Sequence, residues 1–186
     1  MRPPRLLALA ALILAASGGA LAAPVSAGTV VYVDATATGG NNDSNWTDAY
    51  VSLGSALNNV LPGDQIWIAE GSYIPRKATQ PGVVSSRTFL VPGGIELYGG
   101  FAGTETSPSQ RDILAHPTIL SGNVGSPAST ADNAFHVVTI EADADPVLID
   151  GLTVAEGQAD AEGDESQAAG ILATNTSSIS ITDLAA

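Results

Sequence analysis

Two runs of alternating carboxylates are the residues of this chain best suited to chemistry: Glu141-Ala142-Asp143-Ala144-Asp145 and Asp160-Ala161-Glu162-Gly163-Asp164-Glu165. Acidic oxygens interleaved with Gly can ligate calcium. Asp160, Glu162 and Asp164 imitate the start of an EF-hand loop, but the bidentate Glu that closes such a loop is missing. Solvated excursions are the plainer reading of both runs, and no metal or other cofactor is assigned. His116 precedes a Pro and His136 opens a strand; neither has a Ser or Cys nucleophile pattern near it, so nothing marks a triad. The absence of Cys removes thiol catalysis, thiolate metal sites and disulfides. Gly99-Gly100 and Gly103 are followed by no Lys and open no helix, so they read as tight corners rather than a phosphate loop. Arg111-Asp112 reads as a salt bridge or carbonyl contact holding a loop. No catalytic, cofactor-binding or metal residue is therefore expected.

Charge narrows the partners. Six basic residues stand against nineteen acidic ones, a formal net charge of −13. Two of the six, Arg2 and Arg5, lie in the first residues, and none follows Arg111. Phosphate backbones and anionic lipid surfaces both need cations, so nucleic acid is excluded as a partner and membrane surfaces are disfavoured. A basic start, an apolar run from Leu6 to Ala16 and small residues at Ala20-Leu21-Ala22 or Val25-Ser26-Ala27 have the anatomy of a secretory signal peptide. The expected organisation is a signal peptide over 1–27 and one domain over 28–186, with no transmembrane segment in the mature chain. A cysteine-free exported chain points to a bacterial source, its stability coming from burial and hydrogen bonding.

The elements that must carry these residues are mostly short strands. Thr29 to Asp34 reads as a strand, and Gly39 to Ser44 as a loop. Trp46, Tyr50, Leu53, Leu57 and Val60 fall at helical spacing, with Asn45 or Thr47 as cap and Leu61-Pro62-Gly63 as stop. Ile66-Trp67-Ile68-Ala69 is a strand apolar on both faces. Later strands are expected at 88–91, 95–98, 118–120, 136–140, 147–149, 170–172 and 179–181, separated by turn residues. Val147, Ile149 and Leu152 recur as Ile179, Ile181 and Leu184 at one constant offset. Leu97, Gly100 and Phe101 recur as Leu148, Gly151 and Leu152 at another. Such repetition with variable excursions favours a solenoid, whereas a β-sandwich needs no repetition.

Three blocks carry a family resemblance. "GDQIWIAEGSY" (Gly63 to Tyr73), "LYGGFAGTETSPSQRD" (Leu97 to Asp112) with "TILSGN" (Thr118 to Asn123), and the repeats "LIDGLTVAEGQA" (Leu148 to Ala159) with "AAGILATNTSSISITDL" (Ala168 to Leu184) resemble right-handed parallel β-helix proteins of the pectin-lyase-like class, among them large bacterial surface proteins. The repeats are also similar to polymorphic outer-membrane proteins, although the glycine step reads Ala169-Gly170-Ile171 and no Phe-x-x-Asn follows. The resemblance implies an all-β chain: a right-handed parallel β-helix with an N-terminal amphipathic capping helix, truncated at its C-terminal end within a repeat. It implies a structural or adhesive module, extracellular or at the cell surface or associated with the outer membrane, that meets surface glycans or other surface proteins, with no catalysis in this fragment. The alternative is the N-terminal piece of a polysaccharide lyase or glycoside hydrolase whose active residues lie in further coils.

Overall fold

Apolar runs three to six residues long, most of them followed within two residues by Gly, Pro, Asp or Asn, leave the chain little choice but short strands. The computed structural model describes residues 28–141, 145–158, 171–173 and 179–182. In chain order these hold β1 (Val30–Val33), α1 (Leu53–Leu57), β2 (Gln65–Ala69), β3 (Gly71–Tyr73), β4 (Phe89–Val91), β5 (Glu96–Phe101) and β6 (Thr118–Ser121). Then come β7 (Val138–Ile140), β8 (Val147–Asp150), β9 (Leu152–Ala155), β10 (Ile171–Ala173) and β11 (Ile179–Thr182). The regular structure of the described residues is mostly strand, as in an all-β chain, and its sheets are parallel. One sheet runs β1-β2-β5-β8-β11, a second β3-β6-β9 and a third β4-β7-β10. From β2 onward the chain visits the three sheets in rotation, first, second, third, then first again.

Register explains why the pattern holds. On the first sheet Val31 faces Ile66, Ile66 faces Leu97, and Leu97 faces Ile149. On the third, Phe89 and Val91 face Val138 and Ile140; on the second, Tyr73 faces Leu120. All of these side chains are buried in one apolar cluster. Each contributes about 1.5–3 kcal/mol on leaving water. Parallel pairing throughout these ladders rules out an antiparallel sandwich.

The offset linking Val147 and Ile149 to Ile179 and Ile181 is the pairing register of β8 with β11. The other offset is corrected by one residue inside the strand, because Leu97 pairs with Ile149 and not with Leu148. Its glycine match survives: Gly100 and Gly151 both have positive φ, at 89° and 68°. The cause is an extra residue in β5, where Trp67 pairs with Tyr98 but Ala69 with Phe101. A Cβ on Gly99 would stand 2.3 Å from the Gly151 carbonyl oxygen, so the bulge needs glycine there.

The helix expected over 46–60 is a correction of substance. Only Leu53–Leu57 is helical; Ser52 is its N-cap, without a side-chain cap bond, and neither Asn45 nor Thr47 caps it. Tyr50 instead exchanges backbone hydrogen bonds with β1, its N–H donating to Tyr32 and its carbonyl accepting from Asp34. The apolar spacing was real as a burial pattern, since Tyr50, Leu53, Leu57 and Val60 all pack on the core. It was not helical periodicity throughout. α1 lies against β1 and β4. The short strands β3 and β9 were missed, being too brief and too glycine-flanked to stand out. Residues 1–27, the run 160–165, 142–144 of the other acidic run and the end of the final repeat lie outside the described residues.

Candidate functional site

Side chains on the outer face of the first sheet form the densest cluster of chemistry-bearing groups. Tyr32, Trp67 and Tyr98 occupy one row across β1, β2 and β5, with Asp150 of β8 next in line. Trp67 stacks on Phe101 with ring centroids 5.0 Å apart, and Trp46 meets both Phe101 at 5.4 Å and Tyr32 at 4.8 Å. Such contacts add about 0.5–1.5 kcal/mol each beyond burial. Trp67 and Phe101 are 4% and 0% exposed, so this is a second, smaller core outside the sheet.

Arg111 closes the cluster. Its guanidinium lies 4.9 Å from the Tyr98 ring centre and makes a 2.7 Å ion pair with Asp150. It also donates to the carbonyls of Gly99 and Pro108. Both partners of the ion pair are largely covered, 14% and 15% exposed. Beside it, Gln65 donates to Glu96, Trp67 Nε1 donates to Gln65, and Tyr98 donates to Glu96. Burial, helped by the Glu96 carboxylate, pushes the Tyr98 phenol up to about 12. The Arg111 guanidinium, engaged through all three of its nitrogens, ties its loop to the sheet.

Two carboxylates act as backbone clasps. Asp64 accepts from the N–H and hydroxyl of Thr29 and from the Leu61 N–H, at 2.8–3.0 Å. Glu105 accepts from the N–H groups of Ala102, Gly103 and Thr104. Burial opposes ionisation of both, but these donors outweigh it and hold each carboxyl below its ordinary value. Neither was legible beforehand, because their partners are set by the turn or by distant chain.

No family model, no curated protein and no solved structure matches this chain.

The residues weighed from sequence are placed as follows. Arg111 is the loop-holding contact expected of it. Asp112 accepts from the Ala115 N–H and caps the next turn. His116 Nδ1 is 3.0 Å from Glu70, whose carboxylate holds the imidazole above its ordinary value. His116 and Arg111 are thus tied to different partners. Among the described residues no three His, Cys, Asp or Glu side chains gather as a metal set. Arg76 and Lys77, which make no ion pair among the described residues, line a cleft of about 190 Å³ with Ser52, Asn58, Thr88 and Phe89.

Proposed function

We propose that this chain is an exported, surface-associated module built as a right-handed parallel β-helix of the pectin-lyase-like kind, with a structural or adhesive role. The observation that carries the reading is the rotation of the chain through three parallel sheets, each return landing in register on the apolar ladder beneath it. In that reading α1 covers the first strands of two stacks, β1 and β4, a much smaller cap than a full helix would make. The outer-face cluster supports the structural role, because Arg111, Asp150 and Glu105 are spent on holding loops. Arg76 and Lys77 supply a point of attachment for acidic surface glycans or acidic surface proteins.

The test uses the full chain expressed with a C-terminal tag in a bacterial host. Export predicts a processed N-terminus near residue 28 and a tag that external protease removes from intact cells. Retention on immobilised acidic polysaccharide, lost in R76A/K77A, supports the adhesive role. Release of unsaturated uronate products from pectin or alginate overturns it in favour of a lyase. An unprocessed chain recovered from the cytoplasm overturns the export.

A further inference from the structure

The loop between β5 and β6 folds back over the corner where the first sheet hands the chain to the second. Three turns of chain meet at that corner: Glu70 lies between β2 and β3, Gly100 near the end of β5, and Gly151 between β8 and β9. The two glycines offer bare backbone, and Ile113 lies on it. A Cβ on Gly100 would stand 2.8 Å from the Ile113 side chain, and one on Gly151 3.1 Å from it.

The segment 112–116 is fastened at both ends. At its start Arg111 holds Asp150, Gly99 and Pro108, and the Asp112 N–H donates to the Gly100 carbonyl. Within it, the Asp112 carboxylate accepts from the Ala115 N–H and the Asp112 carbonyl from the His116 N–H. At its end the His116 ring reaches across to Glu70, with Nδ1 3.0 Å from Oε2, and Pro117 beyond accepts from the Gly71 N–H. The two side-chain fastenings differ in kind. A guanidinium keeps its charge, whereas an imidazole changes charge near neutral pH.

The carboxylates facing the His116 ring are Glu70 from the corner and Glu105 and Asp112 from its own loop. The hydrogen bond to Glu70, with the negative charge of all three, holds the imidazole above its ordinary value. We infer that the segment 112–116 is a pH-dependent strap, clamped over the Gly100 and Gly151 backbone while His116 is charged and slack once its proton leaves. The clamp is complete below the ordinary imidazole value and is lost as pH rises through the raised one. His116 and Glu70 are 31% and 54% exposed, so the change is local: the strap loosens while the ladders stay folded. The strap stands apart from any reading of export or adhesion.

The test follows the full chain by NMR between about pH 5 and pH 9, the span over which an imidazole changes charge. The His116 ring should titrate above the same residue in an unfolded peptide, and E70Q should lower its midpoint. Protection of the Ala115 and His116 amides, corrected for intrinsic exchange, should fall about two- to fivefold from the acid to the alkaline side, the scale of an exposed ion pair. The Leu148 amide, bonded to Ile95 within the stack, should keep its protection throughout. H116Q should show the slack protection at every pH. Both substitutions fall on partly or largely exposed side chains, so both variants should fold. An unchanged His116 midpoint in E70Q overturns the strap, as does protection that still falls with pH in H116Q. A parallel fall at Ala115 and Leu148 overturns it too, because the loosening would then be global.

Discussion

Replacing Asp64 by Ala removes three hydrogen bonds at once and strands the Leu61 and Thr29 N–H groups at the junction of β1 and β2. The expected loss is about 2 kcal/mol, read from chemical denaturation. Asp64 and Glu105 both have folded values below their unfolded ones, so their contribution is complete above the ordinary carboxylate range. It drains away as pH falls through the lowered folded values. Thermal melts taken from neutral pH downward should therefore show a steep acid limb, and D64N should flatten it. At this scale the sequence was legible where a residue's partners are a matter of kind. Arg111 had to find a carboxylate or carbonyls, and it found Asp150, Gly99 and Pro108. The clasps were hidden because nothing in Pro62-Gly63-Asp64 announces Thr29.

Among the elements, the loop from Ala102 to Pro117 owes its position to Arg111, which joins it to β5 and β8. R111A should cost about 1–3 kcal/mol through an unpaired, mostly covered Asp150 and lost packing on Tyr98 and Phe101. R111K restores charge but not the forked contacts, and should recover less than half of the loss by the same denaturation assay. G99A should be worse than a surface change, because its Cβ meets the Gly151 carbonyl and the Thr118 side chain. A fall of several degrees in melting temperature is expected, whereas G82A meets open space and only strains its φ of 80°. Strand positions were readable from β-branched runs between turn residues, while β3 was lost because Gly71-Ser72-Tyr73 buries only Tyr73 fully. The helix was over-read because Trp46 and Tyr50 cover themselves only in part, from loop and bridge backbone, at spacings a helix would also produce. Periodicity reports which side chains face inward, not which hydrogen bonds the backbone makes.

For the molecule as a whole, the formal charge of −13 repels itself while the ladder of apolar contacts pulls inward. Raising sodium chloride from low ionic strength should therefore raise the melting temperature, most steeply below about 0.1 M where screening sets in. Leu97→Ala, in the middle of the ladder and fully buried, should cost about 2–5 kcal/mol in the same melts. Repetition at the sequence level foretold that distant strands would lie side by side, and β8 with β11 obeyed it to the residue. What it missed was the single added residue in β5, since a bulge shifts register by one and leaves composition untouched. The two tryptophans give this architecture an optical bias. Trp46 and Trp67 both belong to the aromatic patch outside the first sheet, and neither belongs to the buried cluster within. Intrinsic fluorescence will thus watch the outer seam while circular dichroism watches the ladders. If the loop carrying Trp46 peels away early, the emission change will precede the loss of strand signal, and the two curves will part.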